Sequence, residues 1–143
     1  MANATEHNTT AIGAPNSAMR FITQYPEPEL PRRNNYSVHT STPWGTAQTA
    51  TYFGEGLVQY STAGHGGFHV SAGLLKRMPE YLQTRDKYTN GKAGWFEEDC
   101  AWAIVAICYP ERFTQYERQE AVRTMQSYYA DVWQQFCENG GLV

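Results

Sequence analysis

The sequence is poor in cysteine, and what it has is badly spaced for paired-thiol chemistry. Cys100, Cys108 and Cys137 are the whole complement. Their number is odd and no CxxC pair occurs, so the pattern encodes neither a disulfide framework nor a structural zinc site. They read as reduced thiols packed in a core. Positive charge is also scarce. Eleven Lys and Arg stand against 14 Asp and Glu, for a net charge of −3, which excludes a strongly basic chain that grips DNA through many phosphate contacts. No apolar run is long enough to span a bilayer, and residues 1–20 lack the basic-then-apolar order of a secretory leader. Neither GxxxxGK[ST] nor GxGxxG occurs, so no phosphate loop is encoded. Together these absences predict a soluble, single-domain, cytoplasmic protein.

Aromatic residues, by contrast, are plentiful, at 14% of the chain with ten Tyr and four Trp. With 41% hydrophobic residues among 143, the chain can bury one core. Residues 1–42 carry little to bury. They read as a flexible N-terminal tail and a Pro-rich extended segment around Pro26, Pro28 and Pro31. Arg20, Arg32 and Arg33 balance Glu6, Glu27 and Glu29 there, so the net negative charge belongs to residues 43–143, the expected single domain.

The expected fold class is α+β, strands first and helices after. Residues 44–53 are rich in Thr and aromatics, and after a Gly54-Glu55-Gly56 turn residues 57–62 read as the return strand. With residues 68–71 they predict an antiparallel meander of about three strands. Ser71 is placed to cap a short helical segment that Pro79 interrupts, and residues 84–94 read as a polar loop. Residues 95–109 predict a helix, acidic in its first turn and apolar afterwards, hence buried on nearly every side and ended by Pro110. A central strand competes for residues 103–108. Thr114 and Glu117 form a capping box for a helix with Ala121, Val122, Met125 and Tyr128 or Tyr129 on one face. A final helical stretch, residues 132–137, stops at Gly140-Gly141.

The residue types that could carry chemistry cluster in two places. In the stretch Ser61-Thr62-Ala63-Gly64-His65-Gly66-Gly67 the glycines permit a tight hairpin connection that presents His65. His65 and His69 would stand about 13 Å apart in a strand, too far to share one metal ion. No third ligand stands at a recognisable spacing, so neither a metal site nor a cofactor is expected. The second cluster is Glu97-Glu98-Asp99, readable as an acidic first helical turn, a carboxylate pair for acid/base work, or a patch facing a basic partner surface. It makes the surroundings of Cys100 wrong for a thiolate nucleophile. Trp102 reads as core, whereas Trp44 and Trp95 stand at element starts and suit an interface. The candidate binding patch is therefore Trp44, Ser61, Thr62, His65, Gly66, Gly67, Trp95, Glu97, Glu98 and Asp99, expected on one exposed face, with no catalytic set.

Four stretches occur in a specific order: Trp44-Gly45; Ser61-Thr62-x-x-His65-Gly66-Gly67; Trp95-Phe96-Glu97-Glu98-Asp99-Cys100-Ala101-Trp102-Ala103-Ile104-Val105; and Pro110-Glu111-Arg112-Phe113. Over about residues 43–135 they resemble an uncharacterised domain family carried by bacterial phages, plasmids and integrative elements. Gly66-Gly67-Phe68-His69-Val70, followed by an acidic-capped apolar helix, also resembles a stretch of the ArdB/KlcA antirestriction proteins, although His65 and the aromatic C-terminal helices depart from it. These resemblances imply a mobile-element accessory protein that binds a host protein, a component of a defence nuclease system, as an anti-restriction or anti-CRISPR inhibitor does. Two alternatives accompany that expectation. One is an enzyme pairing His65 with an acidic residue of 97–99 as acid and base. The other is a nucleic-acid binder using Arg32, Arg33, Lys76, Arg77, Arg85 and Lys87 with nearby tyrosines, which the net charge disfavours.

Overall fold

The computed structural model describes residues 15–28, 35–83 and 94–140. The meander expected from the Thr- and aromatic-rich stretches is present, and it is the middle of a larger sheet. Strands β4 (Thr49–Tyr52), β5 (Leu57–Ser61) and β6 (Gly66–Val70) pair antiparallel in succession. Gly54 and Gly56 take positive φ in the β4–β5 turn, a backbone conformation that glycine adopts without a Cβ penalty. Strand β1 (Asn35–Ser37) adds to β4 at one edge, and β7 (Trp95–Glu97) adds to β6 at the other. The five-stranded order is β1-β4-β5-β6-β7, and β2 (Ser41–Thr42) with β3 (Gly45–Thr46) forms a separate two-stranded hairpin.

Helices α1 (Pro15–Thr23), α2 (Ala72–Arg77), α3 (Glu80–Gln83), α4 (Trp102–Cys108), α5 (Gln115–Tyr128) and α6 (Ala130–Glu138) complete the α+β architecture. Among the described residues no helix is long and apolar enough to cross a membrane. Several local signals act as the sequence reads. The Ser71 hydroxyl accepts from the Leu74 N–H at the start of α2, and the chain restarts as α3 after Pro79. Thr114 and Glu117 form the capping box of α5. Helix α4 is the centre of the core, with Ala103, Ile104, Val105 and Ala106 fully buried. The helix reading of residues 103–108 therefore prevails over the strand. Tyr128 is exposed, while Tyr129 packs against the core.

Two expectations need correction. Residues 95–109 are not one helix: 95–97 are an edge strand, 98–101 a turn, and only 102–108 are helical. Once Phe96 pairs with Phe68 across the β6–β7 ladder, both rings enter the core, and that long-range burial outweighs local helical preference. The segment before residue 43 also contributes to the core. Phe21 is fully buried and Ile22 nearly so, and Phe21 packs edge-on against Phe136 of α6. The expected loop at residues 84–94 lies, apart from Gly94, outside the described residues.

What ties α1 to the C-terminal helices is Arg118, a fully buried cation on α5. Its Nε donates to the carbonyl of Ile22 at 2.7 Å, Nη1 to the carbonyls of Pro110 and Phe113, and Nη2 to the carbonyl of Tyr25 at 3.1 Å. Glu27 supplies the countercharge at 3.4 Å from a half-exposed position. A guanidinium suits this place because its planar fork can satisfy several carbonyls at once. Replacing Arg118 with Met should lower unfolding free energy by about 3 kcal/mol in urea titrations, because the buried carbonyls lose their donors. Glu27→Gln should cost under about 1 kcal/mol, since that partner is solvated.

Candidate functional site

Alternation along the strands gives the sheet two distinct faces. Leu57, Phe68, Val70 and Phe96 point into the core beneath the helices, where Phe68 meets Phe53 and Phe113. The register puts Tyr36, Ala50, Tyr52, Val58, Tyr60, Gly67, His69, Trp95 and Glu97 on the other face. This outer face is an aromatic layer. Tyr36 and Tyr52 are half exposed and meet edge to face. Tyr60 packs on Trp95, which lies 4.5 Å from the His69 ring. Burial behind that indole pushes the His69 imidazole below its ordinary value, which favours the neutral ring. No Lys or Arg occurs among these nine positions.

At one end the layer closes under the tip of the β2–β3 hairpin. Trp44 sits edge-on to Trp95 at 5.7 Å and edge-on to His65 at 5.9 Å. Its ring lies directly over Gly67. A Cβ on Gly67 would stand 2.3 Å from the Phe96 carbonyl and 2.4 Å from the Trp44 ring. A Cβ on Gly66 would stand 2.5 Å from the Tyr60 carbonyl and 2.9 Å from Glu98 Oε1. The Gly-Gly pair therefore serves close packing of the indole and the neighbouring strands. The turn before it is braced by Thr62, whose hydroxyl donates to the His65 carbonyl at 2.6 Å and accepts from the His65 N–H at 3.0 Å.

That turn aims His65 at the end of β7. Its Nε2 lies 3.7 Å from Glu97 Oε2 and its Nδ1 lies 3.6 Å from Glu98 Oε2. Glu97 is almost fully buried, and its carboxylate folds back on the chain that follows. Oε2 accepts from the Asp99 N–H at 2.6 Å, and Oε1 from those of Cys100 and Ala101 at 2.7 and 3.0 Å. A carboxylate accepting three backbone donors compensates its own burial and satisfies N–H groups that a helix start leaves over. The expectation that Glu97 lies on an exposed surface is corrected accordingly: Glu98 and Asp99 point outward, and Glu97 holds the turn.

All ten residues singled out from sequence gather at this corner. Trp44 caps it, Ser61 pairs with Gly66 at its rim, Thr62 braces His65, and Trp95 floors it. His65, Glu97 and Asp99 each bring a donor atom within 4.8 Å of the others. The acid/base alternative required His65 and a carboxylate to converge, and they do, at separations longer than a hydrogen bond. Cys108 is no candidate nucleophile, since burial pushes its thiol up to about 12. Sequence reasoning missed Tyr36, Tyr52, Tyr60 and His69 as members of the same face. Their spacing of two within strands was visible, but which strands lie side by side was not.

Gly67→Ala should destabilise the protein by about 1–3 kcal/mol, because the contacts it makes are backbone and a packed ring. Gly64→Ala, where a Cβ meets nothing within 4 Å, should stay within about 0.5 kcal/mol of the parent when both variants are compared in urea titrations. Glu97→Ala should cost about 3 kcal/mol through three unsatisfied N–H groups, against under about 1 kcal/mol for Glu98→Ala.

Residues 37–140 match a family described as Domain of unknown function (DUF7007). No curated protein and no solved structure matches the chain.

Proposed function

The chain belongs to the DUF7007 family of domains of unknown function, and from that premise we propose that it is a binding protein whose outer sheet face docks on a basic surface of a partner protein. The observation that carries this reading is the composition of that face. A layer of Tyr and Trp rings without a Lys or Arg in its register ends at the outward carboxylates of Glu98 and Asp99. Arginine and lysine side chains are attracted to the faces of such rings and form charge-assisted hydrogen bonds to carboxylates, so a basic segment satisfies both halves of the surface at once. Half-exposed Tyr and Trp are the residue types that dominate binding energy in protein interfaces.

The narrower setting we propose is that of a phage or plasmid accessory protein acting in the bacterial cytoplasm. There it would inhibit a component of a defence nuclease system, of the restriction or CRISPR kind. The order of the Trp44, His65-Gly66-Gly67 and Trp95–Val105 motifs supports it. Co-purification from the native host with mass spectrometry tests it, and recovery without any defence component would count against it.

The docking face itself is tested with defined peptides. An arginine-rich peptide should quench tryptophan fluorescence saturably, weaken with added salt, and bind about tenfold less tightly to a Glu98→Gln/Asp99→Asn variant. An acidic peptide of equal length should not bind. Equal binding of both peptides, or an arginine-rich peptide indifferent to the double substitution, would refute the docking face.

A further inference from the structure

We propose that the corner formed by His65, Glu97 and Asp99 is a binding site for one divalent transition-metal ion. The site shares Glu98 and Asp99 with the docking face, but its evidence and its test concern the ion alone, with His65→Ala as the variant outside that face's carboxylates. The first observation is the donor set: one imidazole nitrogen and two carboxylate oxygens, all within 4.8 Å of one another. Borderline imidazole with hard carboxylates suits zinc, manganese, iron or cobalt, and three protein ligands leave coordination positions for water. His65 Nε2 and Glu97 Oε2 are 3.7 Å apart, a separation that a single ion about 2.0–2.2 Å from each can bridge. The His65 side chain is about one-third exposed and Asp99 is exposed, so an ion and its waters can enter.

The second observation concerns what surrounds the donors. A metal-ligating histidine characteristically turns its other ring nitrogen to a carboxylate, which sets tautomer and ring orientation. Here Nδ1 faces Glu98 Oε2 at 3.6 Å while Nε2 faces Glu97. The ring is further held edge-on by Trp44, and its backbone is pinned on both sides by Thr62. Glu97 is immobilised by its three N–H donors, with Oε1 taking two of them and Oε2 one. The corner thus combines an imidazole and two carboxylates with a further carboxylate, Glu98, near the second ring nitrogen.

The test uses the untagged full chain titrated with Co2+ and, separately, Zn2+. Visible ligand-field absorption reports the cobalt site, and calorimetry reports zinc stoichiometry. One ion per chain is expected. His65→Ala and Asp99→Asn should each weaken binding at least tenfold, and Glu98→Gln should weaken it about 10–100-fold through loss of the orienting carboxylate. All three positions are at least partly exposed, and circular dichroism checks that each variant keeps the parent fold. Three results would overturn the proposal: no stoichiometric binding of either ion, binding unchanged in His65→Ala, or a thiolate charge-transfer band that puts the ion on Cys100.

Discussion

The Glu97 carboxylate is the point on which the arrangement turns. It ends an edge strand, and within four residues the chain must leave the sheet and enter the most buried helix of the core. A sharp departure of this kind leaves backbone N–H groups without ladder partners. Glu97 supplies the acceptors itself, taking the N–H groups of residues 99, 100 and 101. Burying a carboxylate is unfavourable unless it is hydrogen-bonded, and here the groups that need acceptors and the group that needs donors resolve each other. The same turn throws Glu98 and Asp99 outward, beside the hairpin that carries His65. The acidic corner is thus a consequence of how the core helix begins.

A second constraint shapes the other side of the corner. Trp44 rests on Gly67 with no room for a Cβ beneath it, and its ring borders both Trp95 and His65. The small hairpin that carries it therefore acts as a clamp over one end of the aromatic face. Aromatic rings in edge-to-face contact hold one another at defined angles, so the imidazole of His65 is oriented by packing as well as by its turn. Arg118 does comparable work at a distance, drawing the carbonyls of Ile22 and Tyr25 onto α5. It makes the N-terminal helix part of the fold.

Much of the local structure is legible in the residues. The capping Ser71, the Thr114–Glu117 box, the Gly54–Gly56 turn and the buried stretch of α4 all follow from signals a few residues long. The misreadings share one cause. Trp95-Phe96-Glu97 looks like the start of a helix until its partner strand is known, because Phe96 gains its burial from Phe68, far away in the chain. Phe21 and Ile22 look like part of a polar tail until Phe136 and Arg118 are placed beside them. The candidate site was legible as residue types, since His65, the glycine pair and the acidic run stand out in composition. Their convergence was not, because it depends on the β6–β7 pairing.

By itself, the sequence determined the class of the protein: α+β, mildly acidic, rich in aromatics, with its candidate site residues in a few short stretches. Those properties depend on composition and on short-range periodicity, which the chain carries at every point. Only the tertiary structure decided that these stretches meet, that Glu97 is interior and Glu98 exterior, and that Tyr36, Tyr52, Tyr60 and Trp95 share one face. These are outcomes of strand register. A strand's side chains alternate between faces, so which residues share a surface is undetermined until each strand has a neighbour.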